Sequence, residues 1–131
     1  MQAKNARLGQ HYHMLAVTGQ ACGAFSAAVV LGLTAIFFLR NPYSPEALTG
    51  GTLLMGLMAL LAFIAGASAL TKRPGTLLFV FVFSFVPVGT YLIVTPGVFR
   101  WIGVADLGYL VAAVCLVSGR VQLKIGLDQG K

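Results

Sequence analysis

The chain has 131 residues, of which 58% are hydrophobic and only 9% are charged, and its formal net charge is +6. Soluble domains carry about 25% charged residues, so this composition excludes an ordinary water-soluble fold. The positive charge does not indicate a nucleic-acid partner, because the Lys and Arg residues lie singly or in pairs between apolar runs and form no basic stripe. We therefore expect a single domain, residues 1–131, that lies in a lipid bilayer.

Four apolar stretches account for most of the chain. They predict membrane spans over residues 14–39, 50–71, 75–95 and 101–118, since about 20 helical residues cross the ~30 Å hydrocarbon core. The predicted fold class is an all-α membrane protein with four transmembrane helices in an up-down bundle. The first stretch is too long for the apolar region of a cleaved signal peptide, so we expect it to be a retained span.

Small residues spaced one turn apart mark helix-packing faces in the first two spans. Gly19 and Gly23 form a G-x-x-x-G pattern in the first span, and Ala62 and Gly66 share one face of the second. Small residues at this spacing let two helix backbones approach closely in lipid. We expect these contacts within the protein's own bundle, and a face between two copies is the alternative.

The third span carries phenylalanine at positions 79, 81, 83 and 85. This alternation is typical of a strand, but the run is about twice the length of a membrane-barrel strand, so a helix is predicted. Pro87 removes a backbone donor and predicts a kink. We expect Ser84 to help satisfy the backbone groups near that kink.

The fourth span contains Asp106, which is the only acid inside a predicted span. A carboxylate at mid-bilayer costs about 2.5–3.5 kcal/mol on insertion scales, so such residues face the bundle or a water-filled cavity. Gly103 and Gly108 on the same span predict close helix contacts around it. Asp106 is expected roughly 7–8 Å from the outer end of its helix. The polar residues expected near it are Tyr109, Thr90, Tyr91, Arg100, Thr34 and Thr52.

Two interpretations of the Asp106 cluster remain open at this point. The cluster is either a structural clamp that fixes helix register, or an outward-facing polar pocket that binds a cation, a proton or a small solute. No phosphate-binding loop, dinucleotide fingerprint or nucleophile motif is visible, so an enzyme is not expected. The leading hypothesis is a non-enzymatic subunit that assembles with copies of itself or with other membrane proteins. A small transporter or channel is the alternative.

The basic residues predict the orientation. With four spans, seven cations fall on the side of the two termini and two on the other side. The positive-inside rule then places both termini in the cytoplasm, in a plasma or inner membrane, and the asymmetry argues against dual topology. The seven are Lys4, Arg7, Lys72, Arg73, Arg120, Lys124 and Lys131, and the two are Arg40 and Arg100.

The histidines and cysteines do not indicate a metal or cofactor site. His11 and His13 are two residues apart, so they face different directions on a helix, and a zinc site needs about four ligands. Cys22 and Cys115 lie inside spans and are expected to be free, small apolar side chains. We therefore predict no metal and no cofactor.

Overall fold

The computed structural model describes the backbone of residues 2–39, 48–97 and 99–128, and the side chains of residues 9–39, 51–97 and 99–125. Two of the cations used for orientation, Arg40 and Lys131, and the side chains of Lys4 and Arg7 lie outside these ranges. The described elements are α1 (Gln2–Leu39), α2 (Leu48–Leu70), α3 (Pro74–Ser84), a π-helical segment (Phe85–Gly89), α4 (Thr90–Val94) and α5 (Phe99–Asp128).

Four of these helical stretches are long and apolar enough to cross a membrane: Gly9–Leu39, Gly51–Leu70, Pro74–Val94 and Phe99–Ile125. This confirms the prediction of an all-α chain with four membrane-compatible helices, and the protein is therefore a multi-pass membrane protein. Helix α5, which is the fourth membrane-compatible stretch, continues past residue 118, where the predicted span ended. Residues 119–128 include no proline that would stop the helix, so it continues beyond the apolar run and carries Arg120 and Lys124.

The membrane-compatible helices pack side by side around a thin core. Helix α1 contacts α2 and α5, and α3 also contacts α2 and α5. The core is built mainly from small side chains, whereas many large apolar side chains point outward. Phe25, for example, is 72% exposed. Such a distribution suits lipid, because close packing of small residues holds the helices together and large apolar groups lose nothing by facing acyl chains.

Pro87 lies within the π segment, so the expected disturbance of the helix takes the form of a wider turn. The backbone N–H of Thr90 bonds to the carbonyl oxygen of Phe85, five residues earlier. The Thr90 hydroxyl also donates to the carbonyl oxygens of Phe85, at 2.8 Å, and Val86, at 3.2 Å. The expectation that Ser84 would satisfy this backbone is wrong: Thr90 does so, and the Ser84 hydroxyl turns to another helix.

Candidate functional site

The candidate site is a buried carboxyl group between α3 and α5. Asp106 is 1% exposed, and the equally buried Ser84 donates its hydroxyl proton to Asp106 Oδ2 at 3.0 Å. This hydrogen bond joins two helices across 22 positions of the sequence. Because the bond lies away from water and from other solvating groups, it fixes how α3 and α5 are placed relative to one another.

The level of the carboxyl group along the third span is set by close contacts between α5 and the π segment. Its partner Ser84 is the middle residue of Pro74–Val94, a span of 21 residues. The register is fixed where α5 meets the π segment: a Cβ atom built on Gly103 would lie only 2.7 Å from the carbonyl oxygen of Gly89. A Cβ on Gly89 would in turn lie 3.1 Å from Asp106 Oδ2. These glycines therefore let the two backbones approach, and Asp106 Oδ2 lies close both to Gly89 and to its hydrogen-bond donor Ser84.

Three residues expected beside Asp106 are exposed instead. Tyr91 is 71% exposed, and Thr90 and Arg100 are also on the surface. The spacing of buried residues along this span explains the difference. The next buried residue after Ser84 is Gly89, five positions later, whereas an α-helix would bury a residue three or four positions later. The extra residue in the π turn rotates the rest of the helix. In an unbroken α-helix Tyr91, two turns beyond Ser84, would have faced Asp106.

Of the remaining polar residues expected near Asp106, one lies at the site and the other two lie on α1 and α2. Tyr109 is buried one turn along α5 from Asp106 and shares its helix face. Thr34 is buried, but its hydroxyl donates to the carbonyl oxygen of Val30 on its own helix at 2.7 Å. Thr52 lies in the first turns of α2, where its hydroxyl oxygen is buried without a described hydrogen-bond partner. The structure thus groups Asp106 with Ser84 and Tyr109.

Two oxygen atoms at the site have unused hydrogen-bonding capacity. Asp106 Oδ1 and the hydroxyl oxygen of Tyr109 are both buried, and neither has a partner among the described residues. An unsatisfied buried polar group costs about 1–3 kcal/mol. Chemically, Oδ1 can therefore accept a proton or a hydrogen bond while Oδ2 remains engaged by Ser84.

A surface groove lies at the start of α5, near the sequence position of Asp106. A groove of about 510 Å³ at the start of α5 is lined by Gly97, Arg100, Trp101 and Val104. Asp106 is not among its lining residues. The carboxyl group itself is enclosed between helices, at 1% exposure.

The predicted packing residues lie at contacts between helices of the chain. A Cβ atom on Gly19 would lie 2.9 Å from Leu116 Cγ on α5, and one on Gly23 would lie 2.6 Å from Ala69 Cβ on α2. A Cβ on Gly66 would lie 3.1 Å from Ala27 Cβ. Gly108 is in contact with Ser26, and Ala62 is buried in the core.

The described histidines and cysteines form no metal site. His11 and His13 are exposed in the first third of α1. Cys22 and Cys115 are free thiols, and Cys22 Sγ donates to the carbonyl oxygen of Gly108 at 3.6 Å. In the ranges that the structure describes, no three His, Cys, Asp or Glu residues lie close enough to hold a metal ion.

Comparison of the chain with protein-family models, with curated proteins and with solved structures gives no match. Its function is therefore inferred from the geometry of the site and the surfaces of the helices.

Proposed function

We propose that the protein is a non-enzymatic membrane subunit that works by packing, either with copies of itself or with other membrane proteins. The observation that carries the proposal is the enclosed Asp106 carboxyl group, which Ser84 holds between α3 and α5. An enclosed, hydrogen-bonded carboxyl group is suited to fixing helix register, because a wrong register would leave it unpaired in an apolar interior. A rigid bundle of this kind presents its outer helix faces in one defined geometry.

The proposed arrangement is an up-down bundle with both termini in the cytoplasm of a plasma or inner membrane. Contacts between α1 and α2 support the alternation, since the Gln20 side chain reaches the carbonyl oxygen of Leu70, while Ala27, further along α1, lies beside Gly66, earlier on α2. The excess of cations at the ends that carry the termini supports the orientation.

The outer face of α1 supports association with another helix. Its residues Ala21, Phe25, Ala28, Gly32 and Ala35 recur at alternating spacings of four and three, and all five are exposed. This heptad spacing is the one that lets two helices pack along a shared seam, and small residues bring the backbones close. It lies on the side of α1 away from Gly19 and Gly23, which are used inside the bundle.

A matched pair of glycine variants tests this surface. Gly32 and Gly56 are both exposed, and a Cβ atom at either position would meet nothing within 4 Å. Gly32→Leu should therefore leave the fold intact but obstruct the seam, whereas Gly56→Leu should affect neither. The measurement is energy transfer between donor- and acceptor-labelled copies in liposomes. Equal transfer in both variants and the parent protein would contradict self-association through α1.

A transporter or channel for a cation, a proton or a small solute is the second candidate. The specific observation in its favour is that Asp106 Oδ1 and the Tyr109 hydroxyl oxygen are buried without described partners, beside a π segment. Such π turns are frequent at functional sites. Asp106→Asn keeps the size of the side chain and removes its charge, so the candidate predicts that flux in liposomes disappears while the fold persists. Unchanged flux in that variant, or no flux in the parent protein, would exclude it.

A further inference from the structure

Four exposed cations converge at the end of the bundle where α2 meets α3. Lys72 and Arg73 form the turn between those helices, and Arg120 and Lys124 follow on α5. The guanidinium group of Arg120 donates to the carbonyl oxygen of Lys72, so α5 is attached directly to the turn. We call these four residues the basic end.

The charge of the basic end has no described counter-ion. Asp106 is the only carboxylate among the described side chains. It lies 14 residues before Arg120 on α5, which is roughly 21 Å at 1.5 Å per residue. Asp128 belongs to the same end of α5, but its side chain lies outside the described ranges. Among the side chains that the structure describes, the four cations therefore have no carboxylate close by.

Backbone acceptors at the end of α2 are occupied by other donors. The carbonyl oxygen of Ala67 accepts from the Thr71 backbone N–H and hydroxyl, and that of Leu70 accepts from the Gln20 amide. The carbonyl oxygens of Ser68 and Ala69 accept from the backbone N–H groups of the turn. The side chains of Lys72 and Arg73 are therefore not needed to cap α2 and remain free to bind an external anion.

Apolar side chains lie directly beside these cations. Leu70, Val121 and Leu123 are 62%, 50% and 42% exposed, respectively, and each is within three residues of a member of the basic end. A free phosphate ion would use only the charges, whereas a phospholipid places its phosphate among the cations and its acyl chains along such apolar side chains. The combination fits a lipid better than a soluble anion.

We propose that the basic end binds the headgroup of an anionic phospholipid, with Lys72, Arg73, Arg120 and Lys124 facing its phosphate. Arg120 is held in place by its bond to the turn and keeps further N–H donors for the ligand. One lipid headgroup therefore contacts both the α2–α3 turn and the end of α5. This inference is independent of whether the protein associates with other subunits.

Lys72 offers a variant that removes charge without disturbing the turn. Its φ is +56°, and it is the one non-glycine residue of the described chain in the left-handed region. Glycine adopts this conformation more readily than any side-chain-bearing residue, and the carbonyl oxygen that Arg120 contacts remains. Lys72→Gly should therefore fold at least as well as the parent protein, so that a loss of lipid binding reports on the charge.

The test is a titration of the detergent-solubilised protein with phosphatidylglycerol or phosphatidylcholine, followed by native mass spectrometry. The parent protein should bind phosphatidylglycerol more tightly than phosphatidylcholine. Lys72→Gly and Arg73→Gln should each lower that affinity about fivefold, since one basic residue near an anionic surface contributes about that factor. Arg100→Gln is the matched control: it removes one exposed cation from the far end of α5, beyond the ~8–10 Å range of screened charge, and should leave the affinity unchanged.

Three results would overturn the proposal. The first is equal binding of the two lipids by the parent protein. The second is a loss of affinity in Arg100→Gln as large as that in Lys72→Gly, which would indicate a response to net charge alone. The third is complete displacement of phosphatidylglycerol by inorganic phosphate at equal concentration, which would show that the acyl chains add nothing.

Discussion

Removing the Ser84 hydroxyl should destabilise the bundle by about 1–3 kcal/mol, because Ser84→Ala leaves the buried oxygen Asp106 Oδ2 without its donor. The change removes one atom from a fully buried position, so loss of packing adds little to this value. The matched control is Ser68→Ala on α2, where the serine is also buried but its hydroxyl does not contact Asp106. We expect the control to lower stability by less than Ser84→Ala does, because no hydrogen bond of the Ser68 hydroxyl to Asp106 is lost.

A double-mutant cycle assigns the effect to the hydrogen bond. In an Asp106→Ala background no acceptor remains opposite Ser84, and the serine hydroxyl can bond to its own helix backbone. Ser84→Ala should then cost less than about 0.5 kcal/mol. The measurement is the free energy of unfolding in mixed micelles, titrated with a denaturing detergent. Equal losses from Ser84→Ala and Ser68→Ala, or the same loss in both backgrounds of Asp106, would refute the clamp.

Three further predictions concern the contact between α5 and the third span. Gly103→Val should lower the free energy of unfolding by more than about 2 kcal/mol, because the new Cβ would lie 2.7 Å from the Gly89 carbonyl oxygen. The control in the same assay is Gly56→Val, where the new side chain enters open space. Equal effects of the two variants would contradict the close approach of α5 to Gly89. Thr90→Val should cost about 1 kcal/mol in that assay, since it removes the hydroxyl that donates to two carbonyl oxygens of the π segment, and an unchanged value would show that these bonds do not stabilise the turn. Pro87→Ala restores a backbone donor and should favour an unbroken α-helix, which would turn position 91 inward; slower thiol labelling of Tyr91→Cys in that background would support this, and unchanged labelling would contradict it.

The sequence predicts the four membrane-compatible helices because each depends only on a long apolar run. It also identifies Asp106 as the buried acid, since no other acid falls within a span. The partner of Asp106 does not follow from the sequence. Pro87 indicates a disturbed helix, but not that one extra residue enters the turn after Ser84.

That single residue decides which polar groups meet. It rotates Thr90 and Tyr91 outward and leaves Ser84 as the residue of the third span that faces Asp106. The depth of a residue along the helix therefore does not predict whether it faces Asp106, because the π turn rotates the later residues about the helix axis. The convergence of Lys72 and Arg120 is likewise a result of tertiary packing, since 48 positions separate them in the chain.

The native mass of the protein, extracted from its own membrane in lipid nanodiscs, tests the proposed function most directly. One chain has a mass of 13.8 kDa. A protein that works as a subunit should have a larger particle mass, either a multiple of this value or its sum with the masses of other chains. A particle that contains a single 13.8 kDa chain and no other protein would contradict the proposal that this protein works as a subunit.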